Sequence, residues 1–167
     1  MPHAYTEDQL VEQPAIGLFE SLGWTTISAL DETFGPNGTL QRETKGEVVL
    51  APLLRAALTR LNPALPPEAI TAAIDELTRD RSAMSLEAAN REVYLLLKQG
   101  VRVSLPDHEH GGQKTERVRA IDWEQAETND FLLVSQLTVT GALFLPDPVL
   151  DRPKALIDRG QSVLQFL

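Results

Sequence analysis

The chain has 167 residues, 43% of them hydrophobic and 23% charged, which is the composition of a soluble globular protein long enough for one domain with a real core. Its formal charge is −9 and it has no cysteine. A disulfide framework and a cysteine-ligated zinc site are therefore excluded, and the composition fits a reducing, cytoplasmic compartment.

The start, "MPHAYTEDQL", has no basic segment leading into an apolar one, so no signal peptide is expected. Next, "TEDQLVEQPAIGLFESLGW" predicts a helix. Thr6 is a good N-cap and Gln9 stands three residues on, as in a capping box. Glu7 and Asp8 lie in the first turn, where negative charge suits the helix dipole. Val11, Ala15, Leu18 and Leu22 recur at helical spacing, and Gly23 marks a stop. Pro14 either kinks this helix or marks the start of its regular part.

"ISALDETFGPNGTLQRETKGE" has no period and is expected to be a loop. "EVVLAPLLRAALTRLNP" is helical, with Leu50, Leu54, Leu58 and Leu61 along one side and Asn62-Pro63 as its end. Pro66-Pro67 opens another helix, in which Ile70, Ala73, Ile74 and Leu77 repeat. "SLEAANREVYLLLKQG" predicts a fourth, stopped by Gly100. The period then changes to two. "VRVSL" alternates through Val101, Val103 and Leu105, and "ERVRAID" through Val118 with Ala120 or Ile121. "PDHEHGGQK" and "WEQAETN" are the intervening loops, and "DFLLVSQLTVTGALFL" is a long β-rich stretch. Three strands in series predict an antiparallel meander. Helices first and strands later argue an α+β or three-layer arrangement around one sheet. After Leu145, "PDPVLDRPKALIDRG" is expected to be loop with a short helix over 154–159, and the final apolar run, 163–167, reads as a strand. No apolar run approaches the roughly 20 residues of a membrane helix.

Several groups offer chemistry. His108 and His110 flank Glu109 with metal-ligand spacing, but no third ligand is placed to join them, His3 lying near the terminus. A solvated hairpin loop is the commoner meaning of such a stretch. "HGGQK" lacks Walker spacing, so no ATP site is expected, and there is no serine nucleophile elbow. Glu7, Asp8 and Glu12 cluster on the first helix, where a solvated face is the ordinary explanation. Asp122, Glu124, Asp130, Asp147 and Asp151 follow or end strands, where carboxylates can gather around Mg²⁺. The acidic balance provides no basic footprint for DNA. If the chain acts on nucleic acid, another domain or subunit supplies most of the affinity.

The blocks "TEDQLVEQPAIGLFESLGW", "VVLAPLLRAALTRLNPALPPEAITAAIDELTR", "NREVYLLLKQGVRV" and "RVRAIDWEQAETNDFLLVSQLTVTG" together resemble one family. It is the N-terminal region of the R subunit of type I restriction–modification enzymes. The resemblance runs over residues 6–141, and "LNPALPPEAI" and "NDFLLVSQ…VTG" are its most specific parts. It implies an endonuclease domain of the PD-(D/E)xK type that makes Mg²⁺-dependent double-strand breaks in foreign DNA. It also implies downstream motor domains that use ATP, a helical region that docks on the methyltransferase (M) core, and target recognition by the specificity (S) subunit. The expected fold is α+β, a mostly antiparallel sheet flanked by helices, resembling an incomplete PD-(D/E)xK domain. Residues 1–145 would form this nuclease-like domain and 146–167 a divergent or truncated tail.

The resemblance also assigns a site. A glutamate on the first helix joins such sites, and here it would be Glu7 or Glu12. The metal-binding aspartate would be Asp147, which follows Pro146, or Asp151, fourteen residues before Gln165. Gln165 and Leu167 then stand where the family has Glu-x-Lys. In the family the acids hold Mg²⁺, which activates a water, and the lysine positions that water and offsets charge. Without that glutamate and lysine the isolated chain is expected to be inactive. A truncated or frame-disrupted R-subunit gene is the expected origin, ahead of a diverged remnant. A non-catalytic module that binds restriction–modification subunits is the alternative function, and an acidic DNA mimic a weaker third.

Overall fold

The computed structural model describes residues 8–107, 111–140 and 161–166. They fall into two compact units, one taken from Met1–Leu50 and Phe131–Phe166, the other from Ala51–Asp130.

In the first unit a π-helical turn, Asp8–Glu12, leads into helix α1, Gln13–Ser21. Pro14 thus marks the start of the regular helix. It has no N–H to offer the Leu10 carbonyl, so an α-helical ladder cannot cross it, whereas in a first turn that loss is harmless. The end is a Schellman stop. Gly23 takes φ +85°, its N–H donates to the Glu20 carbonyl, and the Trp24 N–H donates to the Phe19 carbonyl, both at 3.0 Å. Trp24 is then gripped between Phe19 (4.6 Å between ring centroids) and Phe131 (5.0 Å).

Strand β1, Thr25–Ser28, follows at once. Its first two residues follow the predicted helix, and its last two, Ile27 and Ser28, correct the start of the predicted loop, since β-branched residues paired along β4 are strand here. In numbering that counts all strands of the chain, β4 is Phe131–Leu137 and β5 is Gln161–Phe166, the latter where a terminal strand is expected. β4 is the central strand of three: β1 pairs with it in parallel, from Thr25↔Leu132 to Ser28↔Ser135, and β5 pairs antiparallel, from Phe131↔Phe166 to Leu137↔Gln161. Leu132, Leu133, Val134 and Ser135 are buried in unbroken succession. A strand covered on both faces does not alternate.

The long loop is ordered by Arg42, whose side chain is wholly buried. Its guanidinium donates twice to the Glu32 carboxylate at 2.6 Å, and also to the carbonyls of Lys45, Glu47 and Thr138. The loop is therefore fastened to the chain just beyond β4.

The second unit holds α2 (Ala51–Leu61), α3 (Pro67–Leu77), α4 (Leu86–Gln99) and the hairpin of β2 (Val101–Pro106) with β3 (Gln113–Val118). Leu58, Ala69, Ile70, Ala73, Ile74, Val101, Val103, Val118 and Ala120 form its core. The predicted periodicities meet here, and Ala120 rather than Ile121 is the residue turned inward. Ser85 caps α4 by accepting the Ala88 N–H at 3.2 Å.

Two expectations are corrected. The three serial strands do not make a meander: β2 and β3 form their own two-stranded sheet, and β4 belongs to the other unit. Nor is there one mostly antiparallel sheet, since the larger sheet is mixed. The reason lies in β4. An apolar run buried on both faces needs a neighbour on each edge, and the outer edge of a hairpin offers one. The α+β class stands. The short helix expected over 154–159 lies outside the described residues.

Candidate functional site

Two backbone irregularities of the first unit meet at one place, while a third, Gln41 with φ +55°, lies in the long loop. Gln136 lies within β4, yet its φ is +57°, and the β4–β5 register shifts between Val134 and Leu137. A left-handed backbone costs a residue with a side chain about 1–2 kcal/mol. Bulges of this kind re-aim a side chain. Here the Gln136 amide Nε2 donates to Glu12 Oε2 at 2.6 Å. Glu12 itself closes the π turn, a departure from α-helical geometry that is common at functional sites.

Glu12 and Gln136 line a cleft of about 570 Å³ with Gln13, Ile16, Thr26, Ser28 and Ser135 among its walls. The donor atoms are carboxylate, amide and hydroxyl groups. Such hard oxygen donors suit Mg²⁺, but one carboxylate does not make a site. Among the described residues no three acidic or histidine side chains converge on a point. In the cleft wall Thr26 is already engaged, its hydroxyl donating to Glu20 Oε1 at 2.6 Å.

Of the residues assigned by resemblance, Glu12 therefore sits in the cleft. Glu7, Asp147, Asp151 and Leu167 lie outside the described residues, as do the three histidines His3, His108 and His110. Gln165 is on β5, where the register sets it opposite Leu132. That is four residues from Gln136 along β4, roughly 13 Å at the rise of a strand.

The strand-end acids of the second unit serve its own structure. Asp122 Oδ1 accepts the N–H groups of Glu124 and Gln125 at 3.1 Å, and Arg119 reaches Oδ2 at 3.3 Å. The Gln125 N–H is the main reason that this carboxyl is held below its ordinary value, against a smaller opposing effect of burial. Asp130 is paired with Arg60 at 2.6 Å, and Glu124 is exposed. Asn129 completes the turn by accepting the Asp122 N–H and donating to the Asp122 carbonyl, both at 2.8 Å. The conspicuous "AIDWEQAETND" stretch is thus a side-chain-stapled turn.

Gln136 is the residue that sequence reasoning passed over. Its signal was a lone amide interrupting the apolar run "FLLVSQL", in a block singled out as family-specific for its pattern and not for this residue.

The sequence family described as the N terminus of the type I restriction enzyme R protein matches residues 4–150. The chain belongs to this family. One relative is the type I restriction enzyme HindI endonuclease subunit of Haemophilus influenzae, 33% identical over 140 residues. That alignment takes in 82% of this chain and 13% of the relative, so the chain spans about an eighth of the length of the subunit it matches. No solved structure matches the chain. No described helix is long and apolar enough to cross a membrane.

Proposed function

We propose that this chain is the nuclease module of a type I restriction R subunit, serving Mg²⁺-dependent double-strand cleavage of foreign DNA. The observation that carries the reading is the Glu12 carboxylate, held in a cleft by Gln136 on a chain of this family. Of Glu7 and Glu12, Glu12 is the helix glutamate of the site in this reading, and Asp147 or Asp151 is the metal-binding aspartate. Together these carboxylates would hold the metal. Mg²⁺, when bound, polarises the phosphate and lowers the pKa of the attacking water. The chain's own contribution is to fix Glu12 at the wall of a cleft in which polar side chains alternate with Ile16, Ile27 and Leu30.

Taken alone, the chain is inactive in this reading, because Gln165 and Leu167 provide neither the carboxylate nor the ammonium of Glu-x-Lys. DNA is reached through the assembled enzyme, with M and S subunits as partners and ATP consumed by motor domains outside this sequence. That division of labour accounts for a charge of −9 on a DNA-directed module. Residues 1–145 form the nuclease-like part, and 146–167 are the tail in which the site departs from the family.

The test is a supercoiled-plasmid nicking assay with the purified chain in Mg²⁺. No cleavage is expected. Nicking that Glu12→Gln abolishes would overturn the inactivity while keeping the site. Nicking that Glu12→Gln leaves untouched would overturn the site assignment.

One observation favours a second reading, an interaction module without chemistry. Leu10, Val11, Leu18 and Leu22, on and beside α1, are each more than half exposed. Co-purification of M or S subunits with the chain, lost on Leu18→Glu, supports it.

A further inference from the structure

We infer that the outer face of the β2–β3 hairpin is a docking surface for the phosphate backbone of duplex DNA. The choice of DNA over another polyanion rests on the nuclease reading. The two strands divide their side chains between two faces. Val101, Val103 and Val118 turn into the core of the second unit. On the other face the register sets Arg102 opposite Arg117, Ser104 opposite Thr115 and Pro106 opposite Gln113, all six exposed. Apart from the proline, every side chain of this face is a hydrogen-bond donor, and none is a carboxylate.

On a chain of net charge −9 this face stands apart. Several other cations of the unit are met by acids: Arg60 by Asp130, Arg81 by Glu92, Lys114 by Glu116 and Arg119 by Asp122. Among the described residues neither Arg102 nor Arg117 has a carboxylate partner. Arg117 has a structural use, donating to the Gln99 carbonyl at the end of α4 at 3.0 Å. The Arg102 side chain makes no hydrogen bond among the described residues. Like charges directly opposite each other weaken a strand pair, so the hairpin alone gives no reason for Arg102. A phosphodiester backbone does. Guanidinium forks match phosphate oxygens in pairs, hydroxyls and amides donate to them as well, and a two-stranded ribbon is narrow enough to enter a major groove. Such contacts hold DNA without reading its sequence.

The experiment follows binding of the whole chain to a short labelled duplex of arbitrary sequence by fluorescence anisotropy, in EDTA and across a salt series. The variants are Arg102→Ala, Arg102→Glu and Arg91→Glu. Arg91 is an exposed cation on α4, away from this face, and its replacement changes the net charge as Arg102→Glu does. Wild type is expected to bind with an affinity that falls as salt rises, and Arg102→Ala to lower the log–log slope by about 1. Arg102→Glu should weaken binding by about tenfold or more, and Arg91→Glu by clearly less. The melting temperature of Arg102→Glu should be no lower than that of wild type, because a like-charge pair becomes an opposite one. The inference is overturned if Arg102→Glu binds as wild type, if Arg91→Glu loses as much, or if the wild-type chain takes up no duplex. Polyglutamate that competes as well as unlabelled duplex at equal charge would overturn it too. Cleavage is absent in EDTA, so the two readings part cleanly. Glu12-dependent nicking with unchanged binding in Arg102→Glu sinks this inference alone, whereas nicking indifferent to Glu12 with binding lost in Arg102→Glu sinks the site assignment alone.

Discussion

Asn62 makes with Arg119 the two hydrogen bonds that a neighbouring strand would make. Its amide oxygen accepts the Arg119 N–H and its amide nitrogen donates to the Arg119 carbonyl, each at 2.9 Å. The same nitrogen donates to the Leu58 carbonyl at 2.8 Å, so one buried side chain closes α2 and extends the edge beyond β3. Asn62→Ala leaves the Arg119 backbone groups without these partners. A loss of about 1–3 kcal/mol is expected, the desolvation cost of unsatisfied buried polar groups. Urea unfolding checks it, with a lower midpoint at unchanged slope. Asn62→Asp should be no better, because it sets a carboxylate against the Leu58 and Arg119 carbonyls.

Arg42 is the counterpart in the first unit. Arg42→Ala strands the Glu32 carboxylate, whose side chain is 5% exposed, and is expected to cost about 3–5 kcal/mol. Arg42→Lys should rescue little, since one ammonium cannot reproduce a fork serving a carboxylate and three carbonyls. In a double-mutant cycle with Glu32→Ala, the two losses should add to clearly less than their sum. Strict additivity would show that the pair contributes nothing as a pair.

Gly100 ends α4 with φ +78° and ψ 160°, a region of backbone space left almost wholly to glycine. A Cβ there would lie 2.8 Å from the Val118 carbonyl oxygen, on the opposite strand of the hairpin. Gly100→Ala is therefore expected to destabilise by about 1–3 kcal/mol from backbone strain, with the contact adding to it. Thermal melting reads this directly. A neutral result would mean that the turn into β2 relaxes freely.

The elements that could be seen in the sequence were those whose cause is local. Leu58 and Leu61, or Ile70 and Ile74, announce their helices by spacing, and Gly23 and Gly100 announce their stops by the backbone they permit. Thr25–Ser28 was hidden by its shortness, though two threonines and an isoleucine after a glycine are strand-formers. β4 was seen as a strand and placed in the wrong sheet, because sequence order suggested a hairpin while its unbroken burial required a centre. Arg42 gave no sign, since its burial depends on a carbonyl 96 residues away. The site divides in the same way. Glu12 is legible in the sequence as one of two candidate site glutamates on the first helix, while its hydrogen bond to Gln136 comes from a strand far along the chain.

Asp122 ties stability to acid pH. The N–H groups of Gln125 and Glu124 and the Arg119 guanidinium favour its charged form, so its folded pKa lies below the ordinary 3.8. A depressed carboxylate contributes stability that is fully present above the unfolded pKa. That stability is lost as pH falls through the folded value. Its window therefore lies below about pH 4. Glu92, held low chiefly by its bond from Arg79, and Asp80, held low chiefly by the Ser82 N–H, act in the same direction. The difference between wild type and Asp122→Asn isolates the one residue. The variant keeps an oxygen for the turn and loses the charge, so it should be the less stable protein at neutral pH. The gap should narrow as both are acidified past the folded pKa of Asp122. Urea midpoints across that range decide it, and a gap that stays constant with pH would assign the whole effect of Asp122 to uncharged hydrogen bonding.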